Sequence, residues 1–261
     1  MLDRWFSTIK LPLSLKQFHQ LPQNPAYKYE YFDNTAWLSP RPKFQSARLE
    51  LRVREESLPL EVDAQETVCI RGFEDRDWPR LSRPFARAFD RVQPFASLSD
   101  RRRVDAARDC LKFTRAGGDG PVIVPACHVA ISKERGHQVG AILVTLIPMI
   151  DLEGFGSMRW KTPPPADCIE RRLGRPHLTW VFVSPWHAYY GVGTNLLAHA
   201  ERNLLAMGYT ELISSFIWGN TSSMLWHWRN GFELLPYAGS MRYFRKRMRK
   251  LEKAVESPGQ S

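Results

Sequence analysis

The sequence predicts an α/β domain with a mixed sheet, preceded by a small β-rich extension. From about residue 63 onward, apolar and alternating runs suited to strands are interleaved with stretches of helical period. One junction, "TWVFVSPWHAYYGVGTNLL" from Thr179 to Leu197, passes from a strand-like run through a Ser-Pro break and two glycines into helix-forming residues. Residues 1–62 differ: they show strand-like alternation and no titratable cluster with chemical spacing.

Within the extension, "YKYEYFDNTAWLSPRP" alternates aromatic and polar residues on both sides of Asp33-Asn34-Thr35, the pattern of a hairpin. "ARLELRVR" then places Leu49, Leu51 and Val53 on one face of a further strand. The second unit, residues 63–261, opens with a strand over Thr67–Arg71. "DRDWPRLSRPFARAF" comes after it, with acidic residues ahead of a helix and Pro79 near its first turn. Pro84 requires a kink or two short helices there. The next helix has Ser99 as its N-cap, Val104, Ala107, Leu111 and Thr114 on one face, and Gly117-Gly118 as its stop. Strands are expected over Cys127–Ser132 and Gln138–Ile150, the second nearly all apolar, as a strand buried on both faces requires. Asp151–Arg175, with three consecutive prolines, reads as an ordered loop or insertion covering a site. A strand over His177–Val183 comes next. The helix after the glycines places Leu196, Leu197, Ala200, Leu204 and Met207 on one face and ends at Gly208. "ELISSFIW" is a strand, "NTSSMLWHWRN" a short helix ended by Gly231, and "SMRYFRKRM" a last strand.

Composition bounds the function. The 261 residues, 43% hydrophobic, suffice for one large or two modest cored domains. No run of 18 apolar residues is present, so no membrane span is expected. The first residues lack an uninterrupted apolar segment and a small-residue cleavage site, so no secretory signal is read. Cys69, Cys110, Cys127 and Cys168 form no C-x-x-C, which signals neither zinc nor a disulfide framework and points to a reducing cytoplasm. The formal charge is +10, and "YFRKRMRKLEK" alone holds six basic residues against one acidic. That tail is either a solvated end or a contact for nucleic acid or another acidic partner.

A strand that stops at a Gly-x-Gly turn and opens into a helix aims bare backbone N–H groups, at the positive end of the helix dipole, toward phosphate. It is not a dinucleotide fingerprint, because Leu196 occupies the third-glycine position and the motif sits late in the chain. Nor is it a Walker A loop, since the Gly-Lys-Ser/Thr lysine is missing.

The segment resembles the GCN5-related N-acetyltransferase (GNAT) superfamily. That family's signature is a strand ending in an apolar residue-x-Pro, then Arg/Gln-x-x-Gly-x-Gly/Ala opening a helix. Further on comes Asn-x-x-Ala, a tyrosine four residues later, and Gly-Phe. "VSPWHAYYGVG" and "NTSSMLWHWRNGF" place Gly191, Gly193, Asn220, Gly231 and Phe232 on that pattern in register. Element order matches from about residue 66 to 247. Three positions depart: Ala188 replaces Arg or Gln, Ser223 replaces alanine, and His227 stands at the tyrosine.

The resemblance implies a mostly antiparallel central sheet with helices on both faces, and acetyl-CoA as co-substrate without a metal. It implies that the backbone of Val181, Phe182 and Val183 pairs with the pantetheine arm. The amides of Tyr189, Tyr190, Gly191, Val192, Gly193 and Thr194 would cradle the pyrophosphate, with Asn220 and Ser223 completing the cofactor site. Acetyl transfer to a primary amine in a ternary complex needs a neutral amine, a stabilised oxyanion and a proton for the thiolate. An imidazolium of pKa about 6.5 at His227 can protonate a thiolate of about 8.5; the other reading of His227 is packing between Trp226 and Trp228. His177 starts its strand at the offset where histone-acetylating members carry a catalytic glutamate, and is otherwise a strand-end histidine facing solvent. Members acetylate antibiotics, polyamines, amino acids, peptide N-termini and lysines. The acceptor cleft would come from Phe89–Leu98, Asp151–Arg175 and the N-terminal extension, and the positive charge disfavours polycationic acceptors. Two other readings stand beside the enzyme: a non-catalytic acyl-CoA-binding or regulatory module, and a nucleic-acid-associated protein using the tail and nine tryptophans.

Overall fold

The computed structural model describes residues 7–22, 24, 27–40, 44–52, 68–149, 158–217 and 220–235. A three-stranded antiparallel sheet comes first, from β1 (Ile9–Pro12), β2 (Tyr27–Phe32) and β3 (Thr35–Pro40), in the order β1-β3-β2. The short α1 (Leu15–His19), capped by Ser14, lies between β1 and β2. Asp33 and Asn34 turn the expected hairpin with φ of 47° and 53°. Two successive left-handed residues make the turn whose twist suits paired strands.

The larger sheet has seven strands in the order β10-β4-β9-β8-β7-β6-β5. They are β4 (Phe44–Glu50), β5 (Val68–Gly72), β6 (His128–Ser132), β7 (Gln138–Pro148), β8 (Gly174–Val183), β9 (Glu211–Ile217) and β10 (Glu233–Leu234). Neighbours are antiparallel except β8 and β9. β4 belongs to the stretch 1–62, yet it pairs with β9 from Phe44↔Ile217 to Glu50↔Glu211. β7 is buried over its whole length except Pro148, as its apolar run requires.

The helices are α2 (Ser82–Ala88), α3 (Asp100–Arg115), α4 (Val192–Ala206) and α5 (Thr221–Arg229). The proline-rich stretch before α3 divides as its prolines demand. Asp75–Arg80 form a 3₁₀ turn containing Pro79, and Pro84 sits in the first turn of α2, where its missing N–H is not needed. Ser99 occupies the N-cap of α3 without a side-chain cap bond. Phe85 of α2 packs edge-on against Trp180 and Phe182 of β8, with ring centroids 4.8 and 5.1 Å apart. On α4, a methyl added at Gly193 would lie 3.8 Å from Val183 Cγ2. Successive strand residues point to opposite faces, so α2 and α4 cover opposite sides of the sheet. One expectation shifts. β8 begins at Gly174, inside the stretch read as loop; Trp160, also from that stretch, donates its indole N–H to Leu146 O at 2.8 Å. β10, only two residues long, is too short to leave a pattern in the sequence. The strand expected in "SMRYFRKRM", the basic tail and Val53 lie outside the described residues.

β7 and β8 meet at Gly140↔Val183, where a methyl on Gly140 would sit 2.7 Å from Phe182 O and 3.2 Å from Val183 Cα. The obstacle is backbone, so neither strand can rotate a side chain away. Gly140→Ala is expected to lower stability by about 1–3 kcal/mol, read as an earlier urea midpoint; an unchanged midpoint would show that the strands part without cost.

Candidate functional site

β8 and β9 pair only at His177↔Ile213 and Leu178↔Ser214. Beyond Leu178 the two strands continue, to Val183 and Ile217, without further pairing. On the other side of β8 the register jumps from Val144↔Leu178 to Leu143↔Trp180, leaving Thr179 as a bulge. An inserted residue bends its strand and increases its twist. The result is a cleft between the strands, holding a cavity of about 270 Å³. Along β8 past Leu178, the backbone groups facing the cleft have no ladder partner from β9.

The far end of β8 leads to the glycine turn. Ser184 N–H closes onto Val139 O at 2.6 Å, and one 3₁₀ turn spans Pro185–His187. Tyr189 and Gly191 then take φ of 72° and 75°, and α4 begins at Val192. Its N-cap, Gly191, has no side chain to cap with, and no acidic residue lies in the first turn. The first bond to Gly191 O comes from Asn195 N–H at 2.9 Å. The N–H groups of Val192, Gly193 and Thr194 therefore have no acceptor within the helix. A methyl at Gly193 would come within 3.1 Å of Trp226 Nε1, so glycine here lets α5 approach the start of α4. Burial, then His137 and Arg135 of the β6–β7 connection, hold His187 below its ordinary pKa, against the opposing charge of Glu134. Exposed aromatics flank it, Trp186 and Tyr189 being 68% and 94% accessible.

Both candidate histidines are buried at the inner end of the cleft, His177 on β8 and His227 on α5, and each meets one of two neighbouring serines of β9. His227 Nδ1 lies 2.7 Å from Ser223 O and Nε2 lies 2.7 Å from Ser214 Oγ. A carbonyl only accepts, so Nδ1 carries the proton and Nε2 accepts from the Ser214 hydroxyl. The ring is enclosed by Phe216, Phe232 and Trp226 with centroids 4.6, 4.7 and 5.0 Å away. His177 Nδ1 and Nε2 lie 3.1 Å from Thr179 Oγ1 and Ser215 Oγ. Thr145 donates to Asp119 O at 2.8 Å and lies 2.8 Å from Thr179 Oγ1. Each hydroxyl has one proton and Thr145 gives its own to Asp119 O, so Thr179 donates to Thr145 at 2.8 Å rather than to its longer partner, His177 O at 3.3 Å, His177 Nδ1–H donates to Thr179, and Nε2 accepts from Ser215. Burial holds both rings down at about 4, with the neighbouring His227 adding to the effect on His177. The sequence offered an ordinary imidazolium or a packing residue at His227, and a proton-relaying base or a solvent-facing strand end at His177; the imidazolium and the solvent-facing ring are the two that fall. The structure replaces both with neutral, enclosed rings, because the cleft withholds the water that would solvate a cation.

His177, Val181, Asn220, Ser223 and His227 line the cavity together. Asn220 caps α5, its Oδ1 accepting from Ser223 N–H at 3.1 Å. Phe182, 4% accessible, points instead toward α2, and Tyr189 to Thr194 lie at the turn outside the cavity lining. Sequence reading missed Thr179, Ser214, Ser215, Asp119 and Arg159, which also line the cavity. Gly117-Gly118-Asp119-Gly120 announced only a helix stop, and serines in a strand carry no signal of their own. Among the described residues no cluster of three or more His, Cys, Asp and Glu side chains forms a metal site, and no helix is long and apolar enough to cross a membrane.

No protein-family model and no curated protein matches the chain. Solved structures do. A GCN5-related N-acetyltransferase from Sphaerobacter thermophilus is 14% identical with a TM-score of 0.46, covering 88% of this chain and 57% of its own length. The PaiA N-acetyltransferase from Thermoplasma acidophilum, in complex with coenzyme A, is 14% identical with a TM-score of 0.44, covering 64% of this chain and 90% of its own. A GNAT family acetyltransferase from Brucella melitensis, in complex with acetyl-CoA, is 17% identical with a TM-score of 0.42, covering 66% and 89%.

A third enclosed histidine, His128, is also held at about 4 by burial and by His199. Rings that are neutral in the folded state but protonate from about 6.5 when unfolded favour the unfolded chain in acid. Stability is complete above about 6.5 and is lost as pH falls toward 4, by up to about 3 kcal/mol per ring. Melting temperature is expected to drop between pH 7 and pH 5, and His177→Asn to flatten that drop; a flat wild-type profile would falsify the neutral assignments. On element order, on the mostly antiparallel seven-stranded sheet and on the glycine turn between β8 and α4, this chain is a mixed α/β protein with a GNAT-like fold.

Proposed function

We propose that this protein is an acetyl-CoA-dependent N-acetyltransferase that moves an acetyl group directly to a primary amine in a ternary complex. The observation that carries the reading is the continuity of one strand, β8, from an unpaired edge in the cleft to an uncapped helix N-terminus. The unpaired stretch holding Val181, Phe182 and Val183 suits an amide-bearing arm bound strand-fashion, by main-chain hydrogen bonds. The N–H groups from Tyr189 to Thr194 suit the pyrophosphate at its end. Asn220 and Ser223 stand where the cleft meets α5, and acetyl-CoA supplies the activated thioester.

The polar groups then have proton work to do. The attacking amine must lose a proton and the departing thiolate must gain one. Ser214, by passing its proton to His227 Nε2, takes one from the amine nitrogen as its bond to the acetyl carbon forms. His227 returns it through Ser214 as the carbon–sulfur bond breaks. A ring held at about 4 yields a proton readily to a thiolate of pKa about 8.5, so no standing imidazolium is required. His177 and Ser215 form a second pair of the same design. A non-catalytic acyl-CoA-binding module is the second reading, favoured by one observation: both ring nitrogens of His227 are already engaged.

Acetyl-CoA is expected to raise the melting temperature by mass action. Gly193→Asp should remove that shift by setting a carboxylate at the pyrophosphate, whereas Gly193→Asn, equal in size, should retain part of it. No shift with millimolar acetyl-CoA in the wild type would refute the reading. Asn220→Ala is expected to cost about 1 kcal/mol as a lost cap and to weaken acetyl-CoA binding as well. His227→Phe should lower kcat by about 10²-fold, with His227→Tyr retaining more activity. Binding without free-thiol release across an amine panel would select the second reading.

A further inference from the structure

The cavity has an end that neither the parted strands nor the histidines explain. Asp119 enters it from the turn after α3, held once at its carboxylate and once at its backbone carbonyl. Thr114 donates to Oδ2 at 2.6 Å, and Thr145 fixes the backbone carbonyl at 2.8 Å. Thr114 and Thr145 are fully buried, and Thr114 in turn accepts from Trp180 Nε1 at 2.9 Å. Trp180, Phe89 and Phe95 form one wall, with Phe89 5.6 Å from Phe95 and 6.1 Å from Trp180 between ring centroids. Among the described lining residues, Asp119 is the only acid and Arg159 the only arginine or lysine.

This inventory selects the acceptor by charge and by surface. A polyamine or an aminoglycoside brings several ammonium groups, and the described lining offers one carboxylate. One carboxylate, one guanidinium and three aromatic rings in the same lining complement a ligand with one cation, one anion and an apolar body. Burial pushes the Asp119 carboxyl up from its ordinary range, against the Thr114 hydrogen bond and the Arg159 charge. A carboxylate so desolvated gains from an incoming ammonium and shares its proton more readily than an exposed one. The Thr145–Thr179 chain also connects the Asp119 backbone to His177, so acceptor and proton-handling groups share one rigid frame.

Resting on the acetyltransferase reading above, we propose that the acceptor is a free apolar α-amino acid. Its ammonium is received by Asp119 and loses one proton to solvent before the neutral amine attacks, its carboxylate is received by Arg159 and its side chain by the wall of Phe89, Phe95 and Trp180. Asp119 and Arg159 are thereby specificity-determining residues.

The test measures free-thiol release from acetyl-CoA with L-phenylalanine, L-phenylalaninamide, phenethylamine and spermidine, alongside the melting shift with acetyl-CoA alone. L-Phenylalanine should give the highest kcat/KM, about 10- to 100-fold above the two analogues lacking the carboxylate, the value of one charge-assisted contact. Asp119→Asn, which keeps an oxygen for Thr114, should lower kcat/KM for phenylalanine by about the same factor with KM for acetyl-CoA unchanged. Arg159→Gln should make phenylalanine and its amide equal acceptors. Preference for the amide would overturn the proposal in favour of a peptide N-terminus, and preference for spermidine or phenethylamine would overturn it outright. So would an Asp119→Asn enzyme as active as wild type. If acetyl-CoA binds and none of these amines is acetylated, the acceptor assignment fails while the cofactor site stands; if acetyl-CoA does not bind, the acetyltransferase reading itself fails.

Discussion

β8 and β9 are the parallel neighbours in a sheet whose other pairs are antiparallel, and they stay together over two residue pairs only. Each backbone group left unpaired inside a protein costs about 1–3 kcal/mol, so parted strands persist only where other contacts hold them. Those contacts are visible. β7 keeps β8 in register on one side up to Gly140↔Val183, and β4 keeps β9 in register on the other up to Phe44↔Ile217. Each inner strand is thus tied to an outer one, and the two halves diverge between them. The Thr179 bulge sets the direction of β8 at the point of departure.

A buried polar network, rather than an apolar plug, fills the apex. His177, Thr179, Thr145, Ser214, Ser215 and His227 satisfy one another with directed hydrogen bonds. Apolar residues of similar shape would be at least as stable there. The network's distinction is that its members hold protons in a fixed order next to an open backbone edge. Low local polarity strengthens each of these bonds and makes any broken one expensive, which ties the acid sensitivity of the fold to the chemistry of the cleft.

The parts legible in the sequence are those written in local pattern. The apolar run of β7, the stripe of α4 and the Gly-x-Gly turn appear within a residue or two of their expected places, because burial and helix termini depend on near neighbours. Val192 shows the limit of such reading: the residue is buried at 3% accessibility, and local pattern does not tell how much of the turn is open. The pKa of His227 is illegible for a different reason. Its enclosure by Phe216 and Phe232 and its bond to Ser214 join residues from three segments, and no local pattern announces that meeting. Asp119 is hidden in the same way, in a turn whose glycines already explain it.

The stretch 1–62 is where sequence and structure diverge most, and β4 shows why. Composition separates that stretch from the remainder of the chain, since strand alternation marks it and helices do not. Hydrogen bonding does not respect that division. β4 runs seven register pairs along β9 and brings Phe44 to the cavity. β9 carries Ser214 and Ser215, the partners of both histidines. Without β4, β9 would become a strand with one edge free and the other paired for only two residues, and its serines would lose their fixed positions. β4 is therefore part of the frame of the cleft, placed ahead of it in the chain, and a site spread across β4, β8, β9 and α5 is assembled only when distant segments pair.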